Sequence, residues 1–342
     1  MSVVIRSNVG DDTWNEWSDQ LDACIVEEDA NKSEYDEIVS TLANEKSSSR
    51  FGEKGITIGG LDNFAVKAES GNAAEDTLEE GYSKLIQHFS FAKSVVLSKE
   101  LADDNNVDLM KVRARSLVKA YKRTRAQYIT DVITKSVMTT SAAYNTTMTF
   151  GGQAGIDITA PDGFSLFYNA HPLHSNSSIT QSNIFTDAFG TTDEILNILA
   201  NKMRNFTDEN GNVLGIIADT IVLPGNVPAL EKTVKAIIGS DGEVGTNYND
   251  INTQRGKWRL VVDPLWQVSG GAAPYIIMSS EANKELMGTM FYNRLGLDVK
   301  SEVKTESRNL LYNGFSRWSA GFYNWRHMIM GGAAAGTTIN AQ

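Results

Sequence analysis

The sequence predicts an α+β fold, on three observations. No glycine occurs between Gly81 and Gly151 and no proline precedes Pro161, and within that window Asp103–Val137 carries a helical apolar repeat. Ahead of it runs a β-rich stretch punctuated by glycine, from Gly55 to Phe91. Behind it, from about residue 190, amphipathic helical patterns alternate with short strand patterns.

Each element follows from local pattern. In the first fifty residues, TWNEWSDQLDACIV sets Trp14, Trp17, Leu21 and Ile25 at helical spacing, which predicts a short amphipathic helix that docks on something. NEKSSSRFGEKG is a polar break. In the next segment Ile56, Ile58, Phe64 and Val66 lie on strand-like runs, as do Phe89, Phe91 and Val95 beyond it. This excursion buries too little surface to stand alone, so it needs a partner surface. The long helix is expected over about 103–138: Asp103, Asp104 and Asn105 suit its first turn, and some 35 residues would span roughly 50 Å. Met110, Leu117, Tyr121, Tyr128, Val132 and Val137 mark its apolar face.

Further along, TTDEILNILANKMRNFTDENGNV reads as a helix capped by Thr191 and ended by Asn210–Gly211. IIADTIVLPG reads as a buried strand closed by Pro224. VPALEKTVKAIIGS is a helix with Pro228 near its start and Gly239 at its end. Residues 240–256 are a mobile-loop candidate. KWRLVVDPLW, PYIIMSS, GLDVKSEVKTES and SRWSAGFYNWRHMIMGG have strand character, and the tail from Gly331 is expected to be poorly ordered.

At 342 residues the chain holds one large domain or two modest ones. No apolar run approaches 18 residues, and the N-terminus lacks the charged-then-apolar pattern of a signal peptide. Cys24 is alone, which excludes an intrachain disulfide and suits a small core or interface residue. The net charge of −11 is unevenly spread: Asp11–Arg50 holds twelve acids and three bases, and Phe51–Ser83 seven acids and two bases. Val107–Val137 instead carries eight bases, Lys111, Arg113, Arg115, Lys119, Lys122, Arg123, Arg125 and Lys135, against Asp108 and Asp131. One reading is a solvated helix face; the other is pairing with the acidic segments, within a chain or between neighbours. Nucleic-acid binding by this helix is opposed by the overall acidity.

His171 and His174, with Asp157 and Asp162 nearby, form the most tempting chemical constellation, and a metal-dependent hydrolase centred on them is one alternative. Pro172 argues against a regular helix presenting both rings on one face, and the same residues suit hydrogen bonding that orders a loop. No HExxH, GxSxG, GxGxxG or P-loop pattern is present, so no catalytic residue, cofactor or metal is assigned.

The order of parts, with VVLSKELADDNNVDLM leading into the long helix, DGFSLFYNAHPLH at Asp162–His174, DTIVLPGNVPALEKTVKAII and GFYNWRHM, resembles the tailed-phage major capsid proteins of the Hong Kong 97 type, and within them the Mu-like major head subunits. The likeness extends over about residues 45–330. It implies a Hong Kong 97-like fold with an N-terminal arm (1–50), an extended β-hairpin loop (51–83), a peripheral domain with the spine helix (84–189), an axial domain (190–310), and return strands with a C-terminal tail (311–342). It implies a structural, non-enzymatic protein that self-assembles as pentamers and hexamers into an icosahedral shell around double-stranded DNA. It places assembly in the host bacterial cytoplasm and the product in the virion, with no membrane partner and with separate scaffolding, portal and decoration proteins as possible companions. The chain is too short to add a large scaffolding segment to that fold, so a longer precursor is not expected. On this reading Trp14, Trp17 and Phe64 are arm and loop anchors, and Arg113, Arg115 and Arg123 meet acidic neighbours. The rival of the same fold is an encapsulin-like nanocompartment shell, distinguished by protein rather than DNA contents.

Overall fold

The computed structural model describes all residues except 1–2, 8–11, 59, 62–65, 68, 70–71, 73–74, 76–79, 105, 141–142, 191, 243–250, 270 and 337–342. In chain order the elements are β1 (Val4–Ser7), α1 (Asp12–Ala30), α2 (Glu34–Leu42), β2 (Asn44–Ser47), β3 (Gly52–Ile58), β4 (Glu80–Gln87), β5 (Phe89–Leu97), α3 (Lys99–Asp103) and α4 (Val107–Lys135). Short strands follow: β6 (Met138–Thr140), β7 (Ala143–Tyr144), β8 (Thr147–Phe150), β9 (Gln153–Asp157), β10 (His171–Pro172) and β11 (Thr180–Gln181). Then come α5 (Glu194–Arg204), β12 (Thr220–Pro224), α6 (Pro228–Gly239), β13 (Arg259–Asp263), β14 (Tyr275–Met278), α7 (Ser280–Glu285), β15 (Thr289–Val303), β16 (Leu310–Phe322) and β17 (Met328–Gly331).

The chain divides into two compact units. The first comprises 1–53, 86–129 and 291–320. Its sheet has the order β1-β15-β16-β5, with β2 also paired to β15. β1 runs parallel to β15, Val4 opposite Asp298, and β16 runs antiparallel to β5, from Leu310 opposite Leu97 to Trp318 opposite Phe89. The side chains period-two along β16 send Leu310, Tyr312 and Trp318 into the core. There they meet Trp14, Leu21 and Ile25 of α1 and Met110, Ala114, Leu117 and Val118 of α4. At the far end of this core Trp318 stacks on Phe91 (ring centroids 3.7 Å apart, 8° between planes) and meets Tyr128 edge-on at 4.9 Å.

The second unit comprises 54–85, 130–290 and 321–342. Its largest sheet has the order β13-β12-β14-β17, parallel only between β12 and β13. β12, β14 and β17 are buried along their whole length, which is why they read as continuous apolar runs rather than alternations. β3 and β4 form a separate two-stranded ribbon.

The structure departs from the sequence expectations in four places. The long helix is two helices: the Asn106 N–H bonds back to the Leu101 carbonyl (3.0 Å), closing α3, while its carbonyl accepts from Met110 N–H (3.3 Å), opening α4. Asx residues compete with the helical ladder for backbone partners, so the Asp-Asn run breaks the helix that it was expected to start. The remaining 29 residues rise about 43 Å rather than 50. α1 is 19 residues long, not a short helix. α5 stops at Arg204; beyond it Asp208 and Asn212 close a turn in which Gly211 takes φ +92°, and Thr191 lies outside the described residues. α7, six residues opened by the Ser279 hydroxyl accepting from Ala282 N–H, is too short to leave a periodic signature. Val66 lies outside any strand; residues 243–250 and 337–342 of the expected mobile loop and tail lie outside the described residues.

Candidate functional site

Two constellations gather the sequence features of interest. The first is the basic face of α4. Arg115 donates to Glu27 (3.0 Å), Lys119 lies 3.8 Å from Glu28, and Arg125 bonds Glu45 (2.5 Å) while sitting over the rings of Tyr121 and Phe291. Lys122 is buried, at 6% side-chain exposure. Its ammonium donates to the carbonyls of Glu28 (3.1 Å), Asp29 (3.0 Å) and Asn31 and pairs with Asp36 at 3.2 Å. It thereby satisfies carbonyls at the α1 C-terminus that the helix leaves without partners and places a cation at the negative end of the dipole. Beside it lies a cleft of about 240 Å³ lined by Asp29, Asn31, Asp36, Glu45, Lys122 and Arg125 among others. The acidic residues 27–45 are thus already paired with the basic helix of their own chain. Lys111, Arg113 and Arg123 have no side-chain partner among the described residues, and Arg113 and Arg123 are exposed.

The expected anchors separate in the same way. Trp14 is fully buried in its own chain's core, and its indole N–H donates to the Arg308 carbonyl at 2.9 Å. Trp17 is half-buried against the same core. Phe64 lies outside the described residues. Arg115 pairs within the chain, whereas Arg113 and Arg123 do not.

The second constellation lies in the second unit, where the segment Asp162–His174 meets Trp325–Arg326. The His171 ring stacks on Trp325 (4.2 Å, 8°), its Nδ1 lies 2.5 Å from Asp162 Oδ2, and its Nε2 lies 3.2 Å from the Leu166 carbonyl. Arg326, 3% exposed, covers the other ring system of Trp325 at 4.7 Å and donates from Nη1 to Glu209 Oε1 (3.0 Å). Glu209 Oε2 accepts the His174 N–H at 2.7 Å. Both nitrogens of His171 are engaged within the fold, and the His174 ring meets Tyr82 edge-on at 4.9 Å. The pair is therefore a structural tie and not a ligand pair, and among the described residues no group of three or more His, Cys, Asp or Glu side chains is placed to hold a metal.

This tie borders the root of the β3–β4 ribbon. Lys84, on β4, lies 3.3 Å from Asp157 Oδ1 and donates to the Thr159 carbonyl and, at 3.2 Å, to its hydroxyl. Burial pulls the Lys84 ammonium below the usual lysine range, and the Asp157 carboxylate opposes that shift. On β3, Gly55 lies flat on Tyr323: a Cβ there would sit 2.3 Å from the ring's Cδ1. Lys84, Glu209 and Arg326 were not foreseen, because each is a single charge with no motif; a lysine alternating with the apolar Ile86 on a strand was the available signal for Lys84.

A family model described as phage capsid protein matches residues 81–332. The chain belongs to the phage capsid protein family. It is a capsid shell protein, a structural component of the virion, with the Hong Kong 97-like fold. Among solved structures this capsid protein is similar to the capsid of a native GTA particle (TM-score 0.52, 10% identity, covering 88% of this chain and 91% of that one). It is also similar to the capsid of an empty GTA particle (0.51, 11%, 88% and 90%) and to the capsid of Ralstonia phage GP4 (0.51, 12%, 85% and 86%). At these identities the likeness is one of fold. No protein with a curated description matches the sequence. Among the described residues no helix is long and apolar enough to cross a membrane.

Proposed function

We propose that this capsid protein is the major head subunit of a tailed phage. It assembles through pentamers and hexamers into an icosahedral shell that encloses double-stranded DNA, without catalytic activity of its own. The observation that carries this reading is the family match, which runs from Gly81 in β4 through every later element to Gly332 just past β17 and so spans the folded body. The Mu-like branch is supported by the meeting of its two quoted segments, the HP and WR residues, at the His171–Trp325 stack. Assembly proceeds in the host bacterial cytoplasm with separate portal, scaffolding and decoration proteins. The ribbon β3–β4 serves as the root of a hairpin that lies on an adjacent copy, and the peripheral and axial domains follow the boundaries drawn from the sequence.

Negative-stain imaging of the expressed chain tests this directly. Closed particles of uniform diameter containing nuclease-protected DNA, when made alongside a phage genome, are the expected result. A compact monomer at high concentration with no particles overturns it, and particles filled with protein point to the nanocompartment instead.

A further inference from the structure

The solvent faces of α1 and α4 lie on the same side of the first unit, because both helices bury their opposite faces in one core against one sheet. On α1, Asp19, Ala23, Val26 and Ala30 recur at i, i+4, i+7 and i+11 and are all exposed, Val26 at 49%. They stand opposite the buried stripe Trp14, Ser18, Leu21 and Ile25. Glu27 flanks them, its side chain 64% exposed with one carboxylate oxygen on Arg115. On α4, Leu109, Val112, Arg113, Ser116 and Arg123 form the matching exposed stripe, with Leu109 at 38% and Val112 at 61%. The first stripe is acidic with small apolar residues, the second basic with aliphatic ones. They are about 16 Å and 21 Å long.

We propose that these two stripes are the halves of one isologous contact between two copies of this capsid protein, α1 of each lying on α4 of the other. Charge complementarity within a single surface selects a second copy as the occupant: Asp19 and the free edge of Glu27 face Arg113 and Arg123, and each pairing is made twice. Internal geometry supplies the register. Glu27–Arg115, Glu28–Lys119 and the carbonyls of 28–31 on Lys122 ascend both helices in the same sense. A two-fold axis running between the helices and along them therefore exchanges α1 for α4 with no axial slide. Val26, Val112 and Leu109 add apolar area at the middle of the contact, and Ala23, Ala30 and Ser116 allow close approach. Enclosed DNA is the weaker occupant, since a polyanion reaching Arg113 would also meet Asp19 and Glu27 on the same surface. The contact rests on the shell reading for its biological setting.

A charge exchange tests it. Full-length Arg113→Glu/Arg123→Glu and full-length Asp19→Lys/Val26→Lys each place like charges across both halves of the pair, so each alone is expected to raise the concentration needed for assembly by at least about tenfold. An equimolar mixture places opposite charges across both halves of every mixed pair and is expected to restore assembly with alternating copies. Sedimentation velocity reads the assembled fraction, and unchanged far-UV circular dichroism and melting show that the variants fold. Normal assembly of either variant alone, or a mixture no better than its parts, overturns the contact while leaving the shell reading intact. Loss with the arginine variant only, unrescued by mixing, assigns the basic stripe to DNA and also overturns it. Failure of the unaltered chain to assemble removes the shell reading itself.

Discussion

Lys122→Met isolates the contribution of one buried cation to the first unit. The substitution keeps an unbranched stem of similar length in a site only 6% exposed and removes the ammonium alone. Three carbonyls, of Glu28, Asp29 and Asn31, then lose their donor, and Asp36 loses its partner at 3.2 Å while remaining bonded to Ser33. A hydrogen bond to a charged group contributes roughly 1.5–3 kcal/mol, and removing one partner of a buried pair costs about 3–5 kcal/mol because its partners stay behind unsatisfied. The α1 terminus is close enough to the cleft for water to reach some of these groups, so the expected loss is about 3–4 kcal/mol, near the lower end of that range. Because the two units need not unfold together, a single melting point is a poor readout, and native-state hydrogen exchange is the better assay. Amides of the last two turns of α1 and of α2 are expected to exchange about two to three decades faster, with those of β12 and β14 unchanged. A change under tenfold in α1, with Arg125 and Glu45 still paired, would refute the assignment of Lys122 as the tie that ends the helix.

Other outcomes follow from single groups. Arg326→Met leaves the Glu209 carboxylate, 9% exposed, without its cation, and should destabilise the second unit by about 3–5 kcal/mol in urea unfolding. Gly55→Ala sets a methyl inside the Tyr323 ring's space and should cost roughly 1–3 kcal/mol or lift the β3–β4 ribbon from its root, seen as faster exchange at Gly52–Ile58 and Glu80–Gln87. His327 is wholly buried, hydrogen-bonded from Nε2 to Thr289 Oγ1 (2.7 Å), and burial depresses its pKa from 6.5 to about 3. The unfolded chain therefore takes up this proton first: the stabilisation is complete above about pH 6.5 and is lost as pH falls toward 3, by on the order of 4 kcal/mol in all. Unfolding midpoints from pH 7 to 4 should fall less steeply in His327→Gln than in the unaltered chain.

Much of the fold was readable in the sequence where local signals agree. α4 is periodic and free of glycine and proline, and α6 has Pro228 and Gly239 at its ends, so both stand where expected. β5, β12 and the strands after Phe315 follow from apolar and aromatic runs. What failed depended on choices that local pattern does not contain. The Asp-Asn run at 103–106 satisfies a helix start and a helix break equally well, and only the back-bond from Asn106 to Leu101 decides. Trp14 and Trp17 share one helix, yet a tryptophan on an apolar stripe fits its own core as well as a neighbour's surface. Arg113 and Arg115 are two residues apart, hence about 200° apart around α4, so one faces Glu27 and the other solvent. Composition alone saw a single basic run.

That division bears on how a shell subunit sets the strength of its contacts. Had all eight basic residues of 107–137 been free, the acidic stretch 27–45 would have been equally free. A subunit of that kind could pair with others in many registers, each exposed ion pair contributing only about 0–1 kcal/mol. Instead Arg115, Lys119, Lys122 and Arg125 are held by their own chain's acids, and Lys135 by Asp131. Intrachain pairing therefore acts first as selection: it removes most charges from competition and leaves a few, at Arg113 and Arg123 on one helix and at Asp19 on the other, in fixed positions. Contacts of that strength are reversible one at a time, which lets misplaced copies leave. Repeated around a closed lattice, their effective concentration makes the whole far more stable than any pair. The argument is exposed to a salt titration. Assembly should weaken steeply between about 0.1 and 0.5 M monovalent salt, where the Debye length shrinks from about 10 Å toward 4 Å, while exchange protection of α1, held by the buried Lys122, stays nearly constant. Parallel loss of both would mean that the same charges serve fold and assembly, and the selection described here would not exist.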